Sequence, residues 1–119
     1  MKSVITAVLS LALVAGAVAA FAGASGGPRS ASYNLDAGGA VDYKIAFNAN
    51  ETAIVGARSD PRGTDIDIYV YDSNGRLVDS DTETDDTPVC IWHPSSNQVY
   101  TIRVKNASNS STSFTMKTN

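Results

Sequence analysis

TDIDIYVYDSNGRLV, Thr64 to Val78, decides the fold of this chain. Ile66, Ile68 and Val70 alternate with Asp65, Asp67 and Tyr69, the period of two that sends successive strand side chains to opposite faces. The apolar set is therefore expected to point inward and the other set outward. Asp72-Ser73-Asn74-Gly75 then interrupts the run with the residues that favour tight hairpins. The stretch predicts two antiparallel strands, Asp65 to Tyr71 and Arg76 to Ser80, joined by a short turn.

Moving outward from this hairpin, short β-rich runs recur on both sides, separated by Gly, Asn, Asp, Pro and Ser, and no stretch keeps a helical period for ten residues. Further strands are predicted over Ala31 to Leu35, Val41 to Phe47, Thr52 to Arg58, Pro88 to Trp92, Val99 to Val104 and Ser113 to Lys117. Val41, Tyr43, Ile45 and Phe47 share one face of their strand. Tyr100, Ile102 and Val104 share one of theirs, and Phe114 with Met116 completes a core. The expected fold is all-β, a single antiparallel β-sandwich of jelly-roll or Ig-like type with about eight strands. Asp60-Pro61-Arg62-Gly63 and Ala37-Gly38-Gly39 read as loops.

The Asp-apolar-Asp-apolar-Tyr strand and the Asp-x-Asn-Gly hairpin together resemble the signature of the bacterial pre-peptidase C-terminal domain. Asp42-Tyr43-Lys44-Ile45-Ala46-Phe47 is similar to that family's early strand, and Tyr100 to Val104 with Phe114 to Met116 to its closing pair. The resemblance covers nearly all of residues 31–119. It implies a β-sandwich that is exported and non-catalytic, of the kind carried behind secreted peptidases to aid secretion, localisation or substrate contact. No peptidase stands ahead of it in this sequence, so a stand-alone secreted domain is expected.

The N-terminus reads as an export signal over residues 1–22. Lys2 gives a positive start, Val4 to Ala20 is apolar apart from Thr6 and Ser10, and Ala20 and Ala22 fit a small-residue cleavage site, with Ala24/Ser25 as the near alternative. Residues 23–30 read as a flexible segment leading into the domain. A membrane anchor is disfavoured, because the apolar run is barely long enough and the spacer after it carries a single basic residue, Arg29. The expected destination is the medium, the periplasm or the cell envelope, with no membrane contact after cleavage. Nine Lys and Arg face twelve Asp and Glu, and loss of Lys2 with the leader takes the net charge to about −4. Such a surface excludes nucleic acid and anionic membrane, which need clustered cations. A monomer contacting an extracellular protein or polysaccharide is expected.

Few residues carry chemistry. His93 is the single histidine, it stands at a strand end before Pro94, and no nucleophile-elbow motif accompanies it, so an enzyme is not expected. Cys90 is the single cysteine. It lies in the apolar run PVCIW and reads as a buried thiol, with an intermolecular disulfide as the alternative. One histidine and one cysteine do not make a zinc site. Calcium, which takes six to eight oxygen ligands, is the better candidate for the acidic run Asp79 to Asp86, with Asp79, Asp81, Glu83, Asp85 and Asp86 as ligands. Asp65 and Asp67 could join from one strand face. The alternative is a solvated acidic loop. Trp92 reads as core, while Tyr69 and Tyr71 are more open to a ligand. The glycosylation patterns at Asn50, Asn106 and Asn109 read as ordinary loop residues. Three classes remain: a non-catalytic accessory or binding module, a calcium-stabilised structural protein, and an unrecognised hydrolase.

Overall fold

The computed structural model describes residues 23–119 and the strand Val8–Ser10. The leader read over residues 1–22 otherwise lies outside the described residues. Nine strands are present among them: β1 (Val8–Ser10), β2 (Ser30–Leu35), β3 (Ala40–Phe47), β4 (Ala53–Asp60), β5 (Ile66–Tyr71), β6 (Leu77–Asp81), β7 (Val89–Trp92), β8 (Gln98–Asn106) and β9 (Thr112–Thr118). They form two sheets, ordered β1-β3-β8-β5-β6 and β2-β9-β4-β7. Apart from the short parallel pairing of β1 on β3, every pairing is antiparallel. The result is a β-sandwich, and each of the eight strands expected from the sequence is present. No helix of the described residues is long and apolar enough to cross a membrane.

The alternation that predicted the strands also builds the core. Tyr43, Phe47, Val41, Ile66, Ile68, Val70, Ile102 and Val104 point inward from one sheet, and Val55, Leu35, Phe114 and Met116 from the other, all at most 1 % exposed. Burying each such side chain contributes about 1.5 to 3 kcal/mol before the entropy of ordering it is counted. At one end Trp92 packs between Phe47 and Tyr100, at ring separations of 4.8 and 5.3 Å. Cys90, two residues before Trp92 on the same strand, is buried as expected.

The hairpin between β5 and β6 turns on Gly75, whose φ of +81° is left-handed. Asp72 O accepts from Gly75 N at 3.0 Å, and the Asp72 carboxylate accepts from Asn74 N and Arg76 N, both at 2.9 Å. One aspartate thus satisfies the donors that the turn would otherwise leave bare.

Residues 23–30, expected to be a flexible segment, are instead docked on the sandwich. Ala24 is buried and bridges to Phe47. Ser25 N donates to Ala46 O, Asn48 N to Gly23 O and Thr118 N to Arg29 O, at 2.8 to 3.0 Å. Gly23 has φ +114°, and a Cβ there would lie 2.1 Å from Asn119 Oδ1. The glycine and serine content that suggests looseness here serves close approach.

Asn106, read as a loop residue, is fully buried at the end of β8. Its side-chain amide donates to Leu35 O, Asp36 O and Ser110 O at 3.3, 3.2 and 2.7 Å. Because Leu35 ends β2 of the opposite sheet, this one side chain staples the two sheets and the turn before β9.

Candidate functional site

The two outer faces of the sandwich differ in how their side chains are used. On the five-stranded sheet the register sets Asp42 opposite Arg103, Lys44 opposite Thr101 and Asp67 opposite Lys105. Arg103 makes a two-pronged bond to Asp42 at 2.8 and 3.0 Å and lies 5.5 Å over the Tyr71 ring. Lys44 Nζ donates to Thr101 at 2.9 Å. Tyr71, a candidate ligand platform, is therefore covered by a guanidinium. Asp42 is only 7 % exposed even though it faces outward.

On the four-stranded sheet the outer side chains divide into a hydroxyl-rich half and an apolar half. Ser32 is bonded to Thr115 at 2.9 Å, and Ser113 to Asn34. Beyond β9, Ile54 on β4 sits opposite Ile91 on β7, and Gly56 opposite Val89. Ile54, Val89 and Ile91 are exposed at 36, 47 and 52 %. Ile54, Gly56 and Val89 line an open groove of about 500 Å³ with Arg58 and Lys117, and Ile91 stands outside it as the cross-strand partner of Ile54. This groove was not singled out in the sequence. Its signal was present, since Ile54 and Ile91 are the wrong-face members of alternating runs, but their pairing depends on strand order.

The acidic run splits into three groups. Asp79 and Asp81 end β6, and their carboxylates accept from Ile91 N and Val89 N of β7 at 2.8 and 2.9 Å. They therefore occupy edge donors of β7, which would otherwise be free to pair with another strand. Asp86 accepts from Arg62 Nε at 2.6 Å and Gly63 N at 2.8 Å, and the Arg62 guanidinium holds its carboxyl down at about 2. Asp81, Glu83 and Asp85 are brought together, with ligand oxygens within 4.8 Å of one another. Of the five expected calcium ligands, Asp81, Glu83 and Asp85 converge, Asp81 while also bonded to the β7 edge, and Asp79 and Asp86 lie outside that group.

The remaining candidates are placed plainly. Cys90 Sγ lies 3.8 Å from Ile68 O, and burial pushes the thiol up to about 12, so it stays protonated. His93 Nε2 lies 3.2 Å from the Thr52 hydroxyl. Trp92 is 7 % exposed and belongs to the core.

No family model matches this chain, and no curated protein sequence does. Its fold, however, is similar to solved structures at very low identity. The pre-peptidase C-terminal domain of a collagenase from Bacillus anthracis matches with a TM-score of 0.65 at 6 % identity, over 100 % of this chain and 97 % of that one. PliG of Aeromonas hydrophila, a periplasmic inhibitor of g-type lysozyme, matches with a TM-score of 0.66 at 7 % identity, over 98 % of each chain. The pre-peptidase C-terminal likeness expected from the sequence is thereby supported as a likeness of fold.

Proposed function

We propose that this chain is an exported, non-catalytic binding module that contacts an extracellular protein through the outer face of its four-stranded sheet. The observation that carries the reading is the exposed strip of Ile54, Val89 and Ile91, set beside a groove that Ile54, Gly56 and Val89 line together with Arg58 and Lys117. Three large aliphatic side chains exposed side by side are costly in water and favour an apolar partner surface. The flanking cations suit acidic groups around it, which matters on a chain that is otherwise net acidic.

A protein is favoured over a polysaccharide by the placement of the aromatics. Sugar platforms use open rings, whereas Trp92 lies in the core and Tyr71 lies under Arg103 on the opposite face. The non-catalytic reading is supported by a protonated, buried Cys90 and by a histidine bonded to a threonine in place of a carboxylate. The neighbours add two precedents for the same fold, one as the pre-peptidase C-terminal domain of a collagenase and one as a periplasmic inhibitor of g-type lysozyme.

The test is a binding panel of g-type lysozyme, fibrous collagen, insoluble peptidoglycan and cellulose, with the full chain and its Ile91→Asp variant. Binding to a protein probe that falls at least tenfold in the variant supports the reading. Binding to the glycans alone, equal binding by the variant, or hydrolysis of any probe overturns it.

A further inference from the structure

Gly56 is a glycine that the fold does not require. It lies in the interior of β4, between Ile54 and Arg58 on the outer face, with Val89 of β7 opposite it on one side and Lys117 of β9 on the other. Its backbone is not left-handed. A Cβ at this position would meet Pro88 O and Val89 Cγ2 at 3.7 Å, which is ordinary van der Waals contact. A glycine inside a strand weakens it and marks a bulge, a bend or a close approach. Here β4 pairs with β9 in unbroken register from Val55 to Asp60, and no part of the described chain needs the space. The remaining use of such a glycine is to admit a group from outside.

Side chains on one face of a sheet stand about 7 Å apart along a strand and about 5 Å apart across it, so the missing one leaves a notch of a single residue's width. Its walls are of two kinds. Ile54 and Val89 are exposed and apolar, whereas Arg58 and Lys117 are cationic, and all four line the groove with Gly56. Arg58 is opposite Thr115 and Lys117 is opposite Gly56, which makes the two cations diagonal neighbours across β4 and β9. Arg62, Arg76 and Arg103 are each held by an aspartate, but among the described residues neither Arg58 nor Lys117 is in an ion pair. Asp60, the next outward residue of β4, lines the adjoining clefts and not this groove.

We propose that Gly56 floors a notch that takes a glutamate side chain of the partner protein, an inference that rests on the reading of this face as a protein-binding surface. The methylenes of the glutamate lie against Ile54 and Val89, and its carboxylate lies between Arg58 and Lys117. An apolar stem ending in one negative charge matches both kinds of wall, and a carboxylate bonded to cations makes the stronger class of hydrogen bond. A phosphate has charge without a stem and would leave the aliphatic wall bare. A neutral side chain would leave two like charges side by side. The partner lies across the face and does not extend the sheet, because Asp81 and Asp79 already occupy Val89 N and Ile91 N, the donors a strand added at β7 would use. Recognition therefore falls to side chains, and the empty position among them sets which one is accepted. A residue with a side chain at 56 would strengthen β4 and close the notch, an exchange of stability for function.

The test is an NMR titration of the full chain with the capped peptide Gly-Leu-Glu-Leu-Gly and its counterpart carrying Gln at the centre, with thermal melts of each variant. Saturable amide shifts centred on Gly56, Arg58 and Lys117 are expected with the Glu peptide, and about tenfold weaker binding with the Gln peptide. Gly56→Val should melt at or above the wild type and bind about tenfold more weakly. If it fails to fold, Gly56→Ala, whose Cβ fits without a clash, decides by the same two readings. Arg58→Gln and Lys117→Gln should each weaken binding and flatten its dependence on salt between roughly 50 and 300 mM. The proposal is overturned if no saturable shift occurs, if the Gln peptide binds equally, or if Gly56→Val and Gly56→Ala bind as the wild type does. Tighter binding of inorganic phosphate, or of Gly-Leu-Leu through its free terminal carboxylate, overturns it as well. Protein binding that is lost in Ile91→Asp but kept in Gly56→Val sinks the notch and leaves the protein-binding face standing.

Discussion

The outer face of the five-stranded sheet spends its side chains on itself, whereas the outer face of the four-stranded sheet leaves an apolar strip unspent. On the first, Arg103 joins Asp42 and covers Tyr71, and Lys44 reaches Thr101. On the second, Ile54, Val89 and Ile91 stand exposed around Gly56. Charged groups on a sheet face are cheap in water and can be paired across strands, so a self-bonded face is stable and needs no partner. Adjacent aliphatic groups gain nothing from one another that a partner surface would not improve. The difference separates a face that holds the fold from one suited to recognition.

The two faces keep their separate characters only while the two sheets are joined, and the largest expected effect comes from breaking that join. Asn106→Ala removes the donor to three carbonyls at a fully buried site. Urea denaturation should show a loss of about 3 kcal/mol. A loss below about 1 kcal/mol would mean that the staple is dispensable.

Next comes the self-bonded face. Arg103→Ala leaves the 7 % exposed Asp42 carboxylate without its two-pronged partner. Because the Arg103 side chain is itself about a third exposed, water replaces part of the loss, and about 2 kcal/mol is expected at pH 7. The double variant with Asp42→Asn should recover part of it, which a denaturant series on all three variants measures.

Asp67 sharpens the contrast because it sits on the self-bonded face without a bond. Its folded value of about 6 lies above the unfolded value of 3.8. The stability tied to its proton is therefore fully present below the unfolded value and is lost as pH rises through about 6. In EDTA at pH 7.5, Asp67→Asn should be more stable than the wild type by on the order of 1 to 2 kcal/mol. The gap should close near pH 4, where both side chains are neutral. Urea midpoints at the two pH values check the sign.

The smallest effect on stability belongs to the open face. Ile91→Asp, at a position already half exposed, should change the unfolding free energy by less than about 0.5 kcal/mol. A large destabilisation would show that the strip is a structural surface after all. The same variant is expected to lose protein binding, so the two measurements separate recognition from folding.

All eight expected strands and the inward set were legible in the sequence, because both follow from a local alternation that any window of six residues displays. Val41 to Phe47 and Ile66 to Val70 needed no knowledge of their neighbours. The candidate site was legible only in part. Asp81, Glu83 and Asp85 were recognisable as a cluster of carboxylates, but Asp79 and Asp86 look identical to them in a linear run. What separates those two is that their oxygens do not converge with the other three, which is fixed by how the loop after β6 folds and not by residue type.

Sequence by itself thus determined the strand content, the core-facing residues, the buried thiol of Cys90 and the acidic character of the segment after β6. These are properties of residue type and spacing, which act over a few bonds. Only the tertiary structure decided that Asn106 is a buried staple, that residues 23–30 are docked, that Ile54 and Ile91 form one strip, and that Asp67 is an outward-facing residue shut away from water. Each of those depends on which strands become neighbours and which loop folds back over them, and burial and charge partnership are set by that three-dimensional neighbourhood.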